Sequence, residues 1–217
     1  MRHGGSFVLD HVFITTSRGA PAAELLVQAG LTEGTPNRHP GQGTACRRFF
    51  FSNAMLELLW LEDEAEARSE ESRATRLWER LCGARETASP FGIILRPTLE
   101  SEAACPWPFW TYRPQLMPGL ELEIAQETEI EEPMWCYLKT ERPSRRPPDH
   151  RAGVDEITGI LLGCPGVKAG SVTDAMAQAG VIAIQPGMDH LLELQFDDRR
   201  HGKTLDLRPR LPLVIRT

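Results

Sequence analysis

Glycine and proline together supply 35 of the 217 residues, 18 and 17 respectively, so a breaker arrives at about every sixth position. A chain punctuated this densely does not supply the long uninterrupted helices of a bundle. It favours short strands joined by many turns. The length permits one large domain or two small ones and is sufficient to bury a core.

Charge and composition then exclude several classes of function. Lys and Arg number 24 against 30 Asp and Glu, a formal net charge of −6, so neither nucleic acid nor an anionic membrane surface is an expected partner. No window approaches the roughly 18–20 apolar residues of a membrane span, and residues 1–5 lack the apolar centre of a signal peptide. The expected compartment is the cytoplasm. Cys46, Cys82, Cys105, Cys136 and Cys164 are odd in number and never form a Cys-x-x-Cys pair. They read as buried free thiols rather than as a disulfide framework or a thiolate zinc cage.

Patterning predicts the elements. Residues 7–14 are β-branched and aromatic and form a strand; residues 21–29 form a helix that Pro21 starts and Gly30 stops. A breaker-rich loop over 34–43 leaves room for a short strand, and strands 45–52 and 54–61 follow, joined tightly at Ser52 and Asn53. The acidic stretch 62–71 leads into a helix over 72–81 whose charges form a solvated face. Strands are expected at 91–96, 107–113 and 134–139, with 120–125 ambiguous. Residues 141–153, with three prolines and no apolar periodicity, read as a linker. Beyond it the first pattern returns: a strand at 157–162, a helix at 171–179, and strands at 181–184, 191–196 and 204–207. Leu191-Leu192-Glu193-Leu194 sits in its unit where Met55-Leu56-Glu57-Leu58 sits in the first, which suggests a repeated strand-helix-strand-strand-strand module. Chance similarity between apolar strands is the rival explanation.

Three segments, Leu9-Asp10-His11-Val12-Phe13-Ile14, His39-Pro40-Gly41-Gln42-Gly43-Thr44 and Met55-Leu56-Glu57-Leu58-Leu59, resemble the glyoxalase-like branch of the vicinal oxygen chelate superfamily. The resemblance is strongest over residues 7–62. It implies an α+β fold of repeated βαβββ modules whose mixed sheet curls into a cup, with helices outside. Residues 1–140 would form a paired-module domain and residues 154–217 an additional βαβββ-like unit, although the middle region and the final unit compete for the role of partner module. The family's modules often pair across chains, so a homodimer is also implied.

The resemblance further implies a lyase, isomerase or dioxygenase in which His11 and Glu57 hold a divalent metal, Zn, Fe, Mn or Ni. Such an ion polarises a substrate oxygen. Glu57 or Glu193 would move a proton. The second module departs from the family pattern. Gly92 or Gly159 falls where a second histidine belongs, and Cys136 or Glu193 where the carboxylate belongs. A metal-free protein that sequesters a small molecule in an aromatic cup is therefore the alternative.

The residues themselves can be read two ways. His11 is either a core histidine or a ligand. Glu57 faces away from Leu56 and Leu58, into the cup if Leu59 and Leu61 share its face out of water. The loop from His39 to Thr44 is a turn that can present His39, Gln42 and Thr44 to a substrate. Of the neighbours Arg47 and Arg48 only one can face the cup, and Arg48 would suit a carboxylate or phosphate. Trp110 and Trp135 belong to an aromatic group that either fills the core or lines the cup.

Overall fold

The computed structural model describes residues 6–82, 87–98, 104–139, 147–185, 187 and 189–217. The chain is a mixed α+β protein. Its elements in order are β1 (Phe7–Thr15), α1 (Ala23–Gln28), β2 (Asn37–His39), β3 (Thr44–Phe50), β4 (Met55–Leu61), α2 (Glu64–Ala67), α3 (Leu77–Leu81), β5 (Phe91–Pro97), β6 (Phe109–Tyr112), β7 (Leu122–Ala125) and β8 (Met134–Tyr137). There follow β9 (Ile157–Gly163), α4 (Val172–Gln178), β10 (Ala183–Gln185), β11 (Leu191–Phe196), β12 (Thr204–Asp206) and β13 (Leu213–Arg216). Among the described residues no helix is long and apolar enough to cross a membrane.

The strands form two sheets. Eight of them run in the order β2-β3-β4-β1-β5-β8-β7-β6, and five in the order β10-β9-β11-β13-β12. The middle strands β5 to β8 thus complete the sheet that β1 to β4 begin, while the final strands make a sheet of their own. In the larger sheet β1 runs parallel to β4, β5 runs parallel to β8, and β1 meets β5 antiparallel at the centre. This sheet curls into a half-barrel. One side chain measures the curl: the Ser72 hydroxyl donates to the Gly41 carbonyl at 2.7 Å, beside β2, and lies 3.2 Å from the Tyr112 hydroxyl on β6. The two ends of the strand order are within reach of a single serine.

Alternation assigns the two faces. Leu9, Val12, Ile14, Phe49, Leu56, Leu58, Ile93, Leu95, Trp135 and Tyr137 point to the back face, where α1 and the smaller sheet cover them in one buried cluster. Phe13, Cys46, Leu59, Ile94, Ile124, Met134 and Cys136 point to the front, where Leu77 of α3 packs among them. The sheets are also joined by polar contacts. The Asn53 side chain accepts from Ile157 N at 2.9 Å and donates to Ile157 O at 2.8 Å, imitating a neighbouring strand at the tip of the β3–β4 hairpin.

Several boundaries differ from expectation for physical reasons. The helix expected over 72–81 is divided: Arg76 is left-handed at φ 58°, and Thr75 bonds Ser72 O and Leu77 N instead of leaving them to a helical ladder. Within the acidic stretch, Asp63 accepts from Glu66 N and starts α2. Of the expected linker, residues 141–146 lie outside the described residues. The remainder is anchored: His150 is buried, Thr32 N donates to its Nδ1, and its Nε2 lies 2.9 Å from Phe50 O. β13 was not anticipated at all; it runs parallel to β11 and carries β12 at its outer side.

Candidate metal centre

Four front-face residues lie on a diagonal across four adjacent strands. His39 on β2 is paired with Thr44, two residues from Cys46 on β3. Cys46 is paired with Leu59, two residues from Glu57 on β4. Glu57 is paired with Phe13, two residues from His11 on β1. Each step is a diagonal neighbour on one face, within reach of side chains of this length. The donor atoms of His39, Cys46 and Glu57 all lie within 4.8 Å of one another, and His11 Nε2 is 3.9 Å from Glu57 Oε2. The two residues that sequence paired as ligands, His11 and Glu57, are brought together. His39 stands beside them as a donor. Patterning counts Cys46 among the buried free thiols, and the signal that singles it out is its spacing of two from Arg48 on one strand, which puts both on the same face.

Electrostatics differ among the donors. Burial pushes the His39 pKa down, and the charges of His11 and Arg48 add to this against the Glu57 carboxylate. The Cys46 thiol is held far above its ordinary range, first by burial and then by the Glu57 carboxylate. Burial would lower the His11 pKa, but the Glu57 charge and the bond to Asp10 outweigh it and the net direction is up.

The loop between β2 and β3 is built from inside. Gln42 is buried and donates to the Thr44 hydroxyl at 2.9 Å, which lies 2.9 Å from His39 Nδ1. Gln42 and Thr44 therefore form a short relay that orients the His39 ring. Gly41 N and Gly43 N both donate to Glu66 Oε2 of α2, at 2.8 and 3.1 Å. Replacing Glu66 by alanine leaves both amides without this acceptor; it is expected to cost about 2 kcal/mol and to accelerate amide exchange at Gly41 and Gly43, read by hydrogen–deuterium exchange.

The other expected site residues divide between the two faces. Arg48 is on the front side, two residues from Cys46 and opposite Glu57, but its Nε donates to Thr35 O at 2.8 Å. Arg47 points to the back and pairs with Glu24 and Glu33. Trp110 packs on the front face, with its ring against Tyr112. Trp135 is fully buried on the back face, where its Nε1 donates to Thr173 Oγ1 of α4 at 3.0 Å, so it does not join the others. Glu193 belongs to the smaller sheet, where Arg216 and Gln195 bond its carboxylate. A Cβ on Gly92 would sit 2.0 Å from the ring of Phe13, so one of the two places expected for a second histidine is already filled by that ring.

No family model and no curated protein matches the chain. The chain is similar to a solved structure described as a hypothetical protein from Staphylococcus aureus, with a TM-score of 0.55 over 97% of this chain and 98% of that one, at 9% identity. This likeness is one of fold, and its coverage takes in both sheets.

Proposed function

We propose that the protein is a small-molecule enzyme of the vicinal oxygen chelate type whose divalent metal is held within the first half of the larger sheet. The observation that carries the reading is the convergence of His39, Cys46 and Glu57, with His11 beside them. An imidazole, a thiolate and a carboxylate fit zinc, ferrous iron or nickel, and the soft sulfur donor disfavours manganese. Even with His11 as a fourth donor, an ion that takes five or six ligands keeps coordination room, and a bound ion would polarise a substrate oxygen there as a Lewis acid. His11 would add its Nε2 as a further donor, and Glu57 would accept or return a proton beside the ion.

Strand order supports the module reading. β1-α1-β2-β3-β4 is a complete βαβββ unit. β5 to β8 repeat its parallel pairing without a helix among the described residues, and the two halves meet at β1 and β5. On this reading the smaller sheet is the additional unit. The filled position at Gly92 accounts for a metal centre built on one module.

The test is elemental analysis of untagged protein, together with Glu57→Gln. About one equivalent of a transition metal in the wild type, lost in the variant while the fold persists by circular dichroism, supports the reading. Metal-free protein that cannot be loaded with zinc, iron or nickel sinks it and leaves the sequestering alternative.

A further inference from the structure

On a regular strand Asp10 and His11 would point to opposite faces. Here they do not. Leu9 is paired with Leu95 and His11 with Ile94, so two steps on β1 match one on β5 and Asp10 is the extra residue of a β-bulge. Leu9 and Val12 both remain on the back face, which leaves Asp10 and His11 together on the front. Buried Asp10 and half-buried His11 bond directly: Asp10 Oδ1 is 2.6 Å from His11 Nδ1, and Asp10 Oδ2 accepts from Arg96 Nε. Arg96 lies on the same front face as Ile94, two residues away.

We propose that Asp10, raised by the bulge and clamped by Arg96, is a positioning residue that keeps the proton of His11 on Nδ1 and turns Nε2 toward the metal donors. The inference rests on the metal reading above. A carboxylate only accepts, so Nδ1 must donate to it, and the free lone pair of the neutral ring is then on Nε2. That nitrogen is 3.9 Å from Glu57 Oε2, a separation that two donors on one ion at about 2.1 Å each can span. Outer carboxylates that orient a ligating imidazole typically govern metal affinity by about 10–100-fold.

Asp10→Asn separates positioning from mere packing. Arg96 can only donate, so the asparagine must turn its oxygen to Arg96 and its amide nitrogen to His11 Nδ1. Nδ1 then accepts, and the proton moves to Nε2, where it blocks ligation. The experiment is cobalt(II) titration of the full chain, followed by visible absorption, for wild type, Asp10→Asn, His11→Ala and the double variant. It is paired with ¹⁵N NMR of the His11 ring in metal-free protein at a pH where the ring is neutral. The expected result is a loss of at least about tenfold in cobalt affinity for Asp10→Asn, no further loss when it is added to His11→Ala, and a switch from the Nδ1–H to the Nε2–H tautomer. Unchanged affinity with Nδ1–H retained in Asp10→Asn overturns the proposal alone. A wild type that binds no cobalt overturns the metal reading, and the tautomer measurement still decides whether Asp10 sets the ring. Should Asp10→Asn fail to fold, Arg96→Gln releases the clamp and is expected to weaken cobalt binding in the same direction; unchanged affinity and tautomer there overturn the proposal.

Discussion

Cys46→Ser is expected to lower zinc affinity on the order of 100-fold or more and to abolish most of the proton release that accompanies binding. The thiol is held protonated by burial and by Glu57, so the ion must displace that proton before sulfur can ligate. The sign follows directly. Below the thiol pKa, each unit of rising pH makes the proton easier to remove, and wild-type affinity climbs by up to about tenfold per unit. Serine keeps the volume but offers no thiolate, so most of the steep pH dependence and of the released proton should be lost. Calorimetry in two buffers of different ionisation enthalpy counts that proton; a wild type that releases none excludes Cys46 from the ligand set.

The largest effect on stability is expected from Gly43→Ala. Gly43 has φ +73°, and a Cβ there would lie 2.2 Å from the Asp63 carbonyl oxygen and 2.5 Å from Ala67 N. Both obstacles are backbone, which cannot swing aside as a side-chain end can. Gly43 O also accepts from Glu62 N and Asp63 N, so the strand-to-helix corner is fastened at the same point. Strain at a left-handed position together with overpacking is expected to cost about 3 kcal/mol or more. Denaturant unfolding measures it, and a change below about 1 kcal/mol would show that the corner yields.

Much of the fold was legible because local chemistry agreed with it. The apolar β1, the helix between Pro21 and Gly30, and the β3–β4 hairpin all follow from periodicity and breakers. β13 escaped because four residues after Pro212 carry too little pattern to stand out. The site was half legible. His11 and Glu57 could be named from a resemblance, but the diagonal that adds His39 and Cys46 depends on the register of β2 against β3, which spacing does not encode. Asp10 was hidden more deeply. Alternation sends it to the face opposite His11, and only the register shift against β5 reverses that.

The ring of Phe13 over Gly92 also restricts how such a site can change. A histidine introduced at position 92 alone would drive its Cβ into the aromatic ring, and trimming Phe13 alone would open a void in a packed face. Each single step is expected to destabilise, and a smaller residue at 13 would make the room that a side chain at 92 needs, so the two positions are expected to couple. On the metal reading proposed above, a ligand at position 92 therefore requires two changes at once.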